Sequence, residues 1–309
     1  MKIAIIGAGS LGLLFASRFI IHSDENIYLI TKTEEQKRLI QKEKLYLQEI
    51  DGTNYSLNVK VYSQFDHGQT VDWIFLTVKQ TNIAGIETTI KKWSDKHTKV
   101  ICFQNGMGHF EYLKQKISNP VYLAVTTEGA LRKAGNHIRH TGKGEIWLGR
   151  LEEQTDGSIE DLLSLLDQAG FRAFYSEKIK EKIWHKLVIN AVINPLTALF
   201  EVKNGELIED PYLKTLSNQL LSEIIRVLRK AEVPIDENIA NAIEQVCIQT
   251  KDNESSMLQD LRRGQMTEID SILKPIIDLG IRNHLTTTLL ESIRLMVHAK
   301  ENQLAKRKW

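Results

Sequence analysis

Lys186, Asn190 and Asn194 stand four residues apart in IWHKLVINAVINP, a stretch that is otherwise almost wholly apolar. On an α-helix this spacing puts all three on one face, drifting about 40° per step. An ammonium and two amides are costly among apolar neighbours unless they meet partners. Asparagine is a poor helix former, and exposed faces are usually richer in Glu, Lys and Gln. The plain alternative is a solvent-facing stripe on an amphipathic helix. If the face is functional, its lysine could stabilise negative charge developing on a carbonyl oxygen and deliver a proton there. The amides of Asn190 and Asn194 both donate and accept, so they could hold a hydroxyl or a carboxylate. His185 lies about 100° further round and reads as a packing or surface residue.

A second chemical signal opens the chain. KIAII at 2–6 is a short apolar strand candidate, followed at once by Gly7-Ala8-Gly9-Ser10-Leu11-Gly12 and then by a helical pattern through residue 21. Strand, G-x-G-x-x-G and helix together are the context of a dinucleotide site. Gly7 would permit the tight turn, Gly9 the approach of a pyrophosphate, and Gly12 close helix–strand packing. The helix N-terminus would offer N–H groups to the anion. A glycine-rich turn between two core elements is the alternative. An NAD site usually places a carboxylate about 20 residues on, at the end of the second strand. Here Ile30-Thr31-Lys32-Thr33 stands there, and a lysine favours a 2′-phosphate, hence NADP. The other reading is a solvated Lys32 followed by a helix-capping Thr33. Lys79 and Asn105 follow two further apolar runs. If these strands are parallel, the glycine loop, Lys32, Lys79 and Asn105 share the carboxyl edge where such sheets bind ligands. Asn105-Gly106 alone could be an ordinary turn.

The elements that must carry these residues fall into two parts. Apolar runs at 26–30, 71–78 and 99–103 have the length of buried parallel strands, with helical stretches at 33–43 and about 80–93 between them. Segments at 45–48 and 56–61 could form a hairpin or added strands. VYLAVTTEGAL, NHIRHTG and GEIWLG, from about 120 to 148, read as strands extending the sheet. After Phe174 helical periodicity takes over, at 178–200, 211–231, 236–250, 255–262, 267–280 and 284–304. The expected fold class is α/β: an N-terminal Rossmann-type doubly wound sheet, residues 1–177, and a C-terminal all-helical domain, residues 178–309. Ser256-x-x-Gln259 and Thr267-x-x-Asp270 fit helix-capping patterns. The basic tail at 306–308 reads as a solvated helix end.

Composition narrows the function classes. The 309 residues are 42% hydrophobic and 26% charged, as in ordinary globular chains, so disorder and fibrous architectures are not expected. Forty Lys and Arg against 39 Asp and Glu leave a net charge of +1, too little for a broad nucleic-acid or membrane footprint. Cys102 and Cys247 form no C-x-x-C pair, and His137 with His140 makes no metal site. The uncharged stretch at 3–17 is short for a membrane span and is interrupted by glycines. A cytoplasmic enzyme with no nucleic-acid or membrane partner is the expectation. The apolar helical half could supply a homodimer interface.

Taken in order, G-A-G-S-L-G, T-V-K at Lys79, N-G-M-G at Asn105, K-x-x-x-N-x-x-x-N at Lys186, S-S-M-L-Q-D and T-E-I-D resemble the ketopantoate reductase (2-dehydropantoate 2-reductase) family over the whole chain. The resemblance implies a Rossmann domain and a helical domain with the active site in the cleft between them. It implies NADPH reducing a 2-oxo acid, 2-dehydropantoate, to pantoate in pantothenate synthesis. It makes Lys186 the catalytic lysine and Glu268 of T-E-I-D its companion. Asn190, Asn194 and Ser256 become substrate contacts, and Lys79 and Asn105 lie by cofactor and substrate. Lys32 stands where the family has an arginine for the 2′-phosphate, and it lacks the bidentate fork. Two other readings share the motifs: a related NADPH reductase of another 2-oxo acid, and a non-catalytic NADP-binding sensor. The sensor would not need the Lys186/Glu268 pair.

Overall fold

The structure, a computed structural model, describes residues 1–23, 25–106, 108–151 and 158–306. Met107 of N-G-M-G and Arg307 and Lys308 of the basic tail lie outside the described residues. The chain forms two compact units. One contains Met1–Gln104 and His109–Lys180; the other contains Asn105–Gly108 and Glu181–Trp309.

In the first unit the order is Lys2–Ile6 (β1), Ser10–His22 (α1), Asn26–Thr31 (β2), Glu34–Glu43 (α2), Leu45–Gln48 (β3), Asn54–Leu57 (β4), Lys60–Ser63 (β5) and Trp73–Leu76 (β6). It continues with Ile86–Trp93 (α3), Lys99–Cys102 (β7), Gly108–Lys116 (α4), Val121–Thr126 (β8), Gly129–Ala134 (β9), His137–Gly142 (β10) and Glu145–Gly149 (β11). Ser158–Gln168 (α5) and Arg172–Tyr175 (β12) complete it. The eight-stranded sheet runs β12-β11-β8-β7-β6-β1-β2-β5. β1 pairs in parallel with β2 on one side and β6 on the other, so the winding reverses at β1. Ile3, Ile5, Ile27, Leu29, Trp73 and Phe75 share one core with Phe15 and Phe19 of α1. Ala4, Ile6, Tyr28, Ile30, Ile74 and Leu76 on the opposite face are buried as well. Near-continuous apolar strands are what a parallel sheet covered on both faces requires.

The strands expected from about 120 to 148 do not all extend one sheet. β8 and β11 extend the main sheet, but β9 and β10 leave it for a second sheet, ordered β4-β3-β10-β9. Burial explains the division. All six residues of β8 are buried, whereas β10 alternates, with Ile138 and His140 buried between more exposed neighbours. A strand with one covered face suits a small sheet lying on a helix. Leu45, Leu47 and Ile138 of this sheet join the core that contains α1. The short α4, α5 and β12 are additions that the sequence pattern did not single out.

A buried polar chain ties the small sheet to the rest of the unit. Arg18 of α1 pairs with Glu49 at 3.3 Å, and Glu49 meets His140 Nδ1 at 2.7 Å. His140 Nε2 lies 2.9 Å from Glu128, whose other oxygen accepts the Gly144 N–H. His140 is fully buried. Desolvation pulls its pKa down, but the hydrogen bonds that Glu128 and Glu49 accept outweigh this and leave it above the ordinary imidazole value.

The second unit is helical: Ile179–Phe200 (α6), Glu206–Glu209 (α7), Pro211–Lys230 (α8), Ile239–Gln249 (α9), Ser256–Arg262 (α10), Ile269–Arg282 (α11) and Thr288–Lys306 (α12). α6 is long and apolar enough by composition to cross a membrane, yet two thirds of its apolar window is buried inside the protein. Trp184, Leu187, Val188, Ala191, Val192 and Leu196 form the middle of the unit's core with Leu258, Ile272 and Val297. The apolar character of α6 is thus that of a core helix.

The His140 chain makes a stability prediction. A raised native pKa contributes stability that is complete below the unfolded value, about 6.5, and is lost as pH rises through the native value. His140→Gln should therefore lower unfolding free energy by about 3 kcal/mol at pH 6. Urea titrations should show this gap narrowing as pH rises above 6.5. A gap that widens with pH would contradict the assignment.

Candidate active site

The glycine loop follows β1 at the point where the winding reverses. Gly7 has φ +117°, and a Cβ there would lie 2.8 Å from Val78 N. At Gly12 a Cβ would fall 1.9 Å from Gly7 O, so α1 can begin this close to the strand only with glycine. Gly9 differs: a Cβ would meet nothing nearer than Thr77 O at 4.0 Å. The protein leaves open space there, which suits an approaching pyrophosphate. Gly9 is also the N-cap of α1 and makes no side-chain cap. The helix start therefore presents backbone N–H groups where an anion would sit. The surroundings fix this loop firmly. Ala8 O accepts from Gln36 Nε2 at 2.9 Å and from Arg132 Nη1 at 3.3 Å. Ser10 Oγ accepts the Arg132 N–H at 3.3 Å, and Thr77 Oγ1 donates to Gly7 O at 2.7 Å. Leu11 lies in the first turn of α1 and packs against the core.

Lys32 immediately follows β2 and is exposed. Its ammonium donates to Asn82 Oδ1 at 2.9 Å, which holds it at the carboxyl edge of the sheet. The next residue, Thr33, caps α2 by accepting the Gln36 N–H, as the sequence suggests. Both readings of this segment are therefore compatible: a cap at Thr33 and a presented cation at Lys32. Lys79 follows β6 by three residues and is half-buried. Gln104 Nε2 bridges Leu76 O and Val78 O at 2.9 and 3.0 Å, closing the ends of β6 and β7 together.

Asn105 comes next in the chain, but it packs within the second unit. Its Nδ2 donates to Glu268 Oε2 at 3.0 Å. Gly106 takes the turn, with φ +87°. Lys186, Asn190 and Asn194 all lie on α6. Asn194 is 6% exposed and the other two are half-buried, which is not the profile of a solvated stripe. Burial pushes the Lys186 pKa down to about 8, and the Glu268 carboxylate acts in the opposite sense. At the far end of the stripe, the Thr197 and Ser255 hydroxyls are 2.7 Å apart. Ser255, rather than Ser256, is the cap of α10: it accepts the Leu258 N–H. Ser256 is left exposed as the first residue of the helix. At Thr267-x-x-Asp270 only half of the expected capping pair forms: Thr267 Oγ1 accepts the Ile269 N–H at 3.3 Å, but Asp270 does not reach back to the Thr267 N–H. Asp270 instead engages Arg294 at 2.5 Å and His298 at 2.9 Å.

Each unit thus gathers its own set. The first brings together the loop Gly7–Gly12, Lys32 and Lys79. The second brings Asn105, Lys186 and Glu268 into one electrostatic group, with Asn190 and Asn194 along the same helix. Gln36, Arg132, Thr77, Asn82 and Gln104 were not found from the sequence. Their contacts are long-range bonds to backbone or to single side chains, and no local spacing announces them. Chemically, the first set can hold a phosphorylated dinucleotide. The second can stabilise and protonate an oxyanion.

The glycines separate two roles that mutation can test. Gly12→Ala should destabilise the protein by about 2 kcal/mol or more, read as a lower melting temperature. Gly9→Ala should leave melting nearly unchanged while weakening the binding of a nicotinamide dinucleotide in calorimetry. A Gly9→Ala protein that melts early but binds normally would reverse the assignment.

Comparisons with known proteins show the family of the chain. Residues 3–153 match the family described as ketopantoate reductase PanE/ApbA, and residues 178–301 match its C-terminal domain. The chain is 34% identical over 281 residues to a 2-dehydropantoate 2-reductase of Bacillus subtilis, covering 88% of each chain. It is 33% identical to the protein of the same name from Archaeoglobus fulgidus, covering 95% of this chain and 97% of that one. Among solved structures, a probable 2-dehydropantoate 2-reductase from Bacillus subtilis superposes with TM-score 0.81 at 30% identity, over 97% of this chain and 100% of that one. A complex of D-mandelate dehydrogenase with NADH superposes with TM-score 0.87 at 25% identity, over 98% of this chain and 100% of that one. With both domain profiles matched in order over an α/β half and a helical half, the chain belongs to the ketopantoate reductase family.

Proposed function

We propose that this protein is an NADPH-dependent 2-dehydropantoate 2-reductase, forming pantoate for pantothenate synthesis, with Lys186 as the proton donor. The observation that carries the reading is the Lys186–Glu268–Asn105 group: an ammonium with a pKa lowered to about 8, a carboxylate acting on it, and an amide holding that carboxylate. Gly7, Ala8, Gly9, Ser10, Leu11 and Gly12 would hold the pyrophosphate. Lys32, steadied by Asn82, would meet the 2′-phosphate, and Lys79 would line the same edge. When bound, the nicotinamide supplies the hydride that reduces C2 of the substrate.

Each protein group then has a task. As C2 is reduced, its carbonyl π pair moves onto oxygen, and the Lys186 ammonium stabilises that charge and transfers a proton to it. Lys186 is left neutral and regains its proton from water. At the ordinary lysine value, near 10.5, the group would be a reluctant acid; at about 8 it remains mostly protonated at neutral pH and gives up its proton more readily. Glu268 opposes complete loss of the charge that burial favours. Asn190, Asn194 and Ser256 would contact the substrate's carboxylate and hydroxyl groups, and Asn105 would serve both substrate and cofactor. The likeness to an NADH-bound D-mandelate dehydrogenase supports a second reading, in which the same machinery acts on an aryl 2-oxo acid.

Following NADPH oxidation with 2-dehydropantoate and with phenylglyoxylate, each beside NADH, tests both readings. The proposal expects 2-dehydropantoate with NADPH to give the largest kcat/KM; preference for phenylglyoxylate would favour the second. Lys186→Ala should lower kcat by about 10²- to 10⁴-fold without changing NADPH affinity. The wild-type kcat should be level below pH 8 and fall above it, because the reacting form of Lys186 is the protonated one. Lys32→Ala should raise the NADPH Kd and leave that of NADH nearly unchanged; equal losses for both would remove Lys32 from the 2′-phosphate site.

A further inference from the structure

Glu268 is the N-cap residue of α11, yet its side chain makes no cap bond. Its carboxylate is directed to Asn105 instead. Other groups hold the start of this helix. Glu301 of α12 is the main one. Its side chain is 3% exposed. One oxygen accepts both the Thr267 N–H and the Thr267 hydroxyl, each at 2.7 Å. Thr267 Oγ1 in turn accepts the Ile269 N–H at 3.3 Å. The second Glu301 oxygen meets His298 Nδ1 at 2.8 Å, and His298 Nε2 meets Asp270 at 2.9 Å. Asp270 also takes the Arg294 Nε–H at 2.5 Å. The residue before Glu268 and the second residue after it are therefore both anchored to α12.

The charges in this cluster balance. Asp270 and Glu301 are anionic, and Arg294 is cationic. Desolvation lowers the His298 pKa, but its two carboxylate partners outweigh this and raise it, favouring imidazolium. A carboxylate this buried is costly unless its oxygens are filled. Here one oxygen is filled by the backbone and hydroxyl of the residue next to Glu268. Thr267 Oγ1, held by Glu301, meets the first N–H of α11, that of Ile269, and the Glu268 carboxylate is left to face Asn105 and Lys186.

We infer that Glu301, buttressed by His298 and Asp270, is a positioning residue for the active site: it fixes the Thr267–Ile269 backbone so that the Glu268 carboxylate keeps its place beside Asn105 and Lys186. This rests on the reading of Lys186 and Glu268 as the reacting pair. Loss of Glu301 lets Glu268 drift, and a displacement of about 1 Å in such a group lowers turnover up to about 100-fold. The same drift weakens the field of Glu268 on Lys186, so the lysine loses its proton at lower pH.

The test uses the full chain and three variants: Glu301→Ala, Glu301→Gln and Thr267→Val. Two quantities are read: kcat with 2-dehydropantoate and NADPH, and the pH midpoint for reductive methylation of Lys186, followed by mass spectrometry. Glu301→Ala should lose kcat by about 10- to 100-fold with NADPH affinity retained. Its Lys186 midpoint should drop by about half a pH unit or more. Glu301→Gln keeps an acceptor for Thr267 and should stay within roughly threefold of wild type, with the midpoint unmoved. Thr267→Val removes only the hydroxyl and should shift both quantities in the same direction by less; it carries the test if Glu301→Ala does not fold. An unchanged midpoint and kcat in Glu301→Ala overturn the inference. So do equal losses in Glu301→Ala and Glu301→Gln that track melting temperature. If wild-type protein ignores 2-dehydropantoate while the midpoint still moves, the substrate reading fails and the positioning role stands.

Discussion

A lysine ammonium withdrawn from water needs a carboxylate, and the helical unit is organised around that need. α6 is apolar because it contributes much of the unit's core, so Lys186 is placed where desolvation favours the neutral amine. Glu268 opposes this without cancelling it. Burial favours the neutral amine, which has no proton to give, and the carboxylate favours the ammonium, which holds it. The balance near pH 8 is a product of both, and it depends on Glu268 staying where Asn105 and the start of α11 put it.

The first unit solves a different problem, which is to hold an open backbone loop still. Glycine at positions 7 and 12 permits the tight passage from β1 to α1, and neighbours then fill the polar groups that face the protein. Ala8 O is held from two sides, by Gln36 of α2 and Arg132 of β9. The small sheet thus supports the glycine loop as well as covering α1. Its own attachment runs through Arg18, Glu49, His140 and Glu128. What remains uncovered is the side at Gly9, where the protein contributes little more than backbone.

Much of this was legible in the residue pattern, for physical reasons. β1, β2, β6 and β7 are apolar runs because both faces of a parallel sheet are buried, and the G-x-G-x-x-G spacing encodes the turn that joins β1 to α1. The 186/190/194 stripe was visible because polar residues in a core helix violate its period. The second sheet was not legible: β9 and β10 look like any half-buried hairpin, and the pairing of β10 with β3 joins residues about 90 apart. Partners found only across the fold, such as Gln36 for Ala8 or Glu301 for Thr267, leave no mark on local spacing. The capping patterns at Ser256 and Thr267 misled because a serine one position earlier and a glutamate from another helix took those bonds. Nor does sequence alone show the lowered pKa of Lys186, which depends on how densely the folded chain surrounds it.

The most direct test of the account is a crystal structure of the protein with NADP and pantoate bound. The account requires Lys186 Nζ within hydrogen-bond reach, about 3 Å, of the C2 hydroxyl oxygen. A closed ternary complex in which another group, or water alone, meets that oxygen while Lys186 points elsewhere would contradict it.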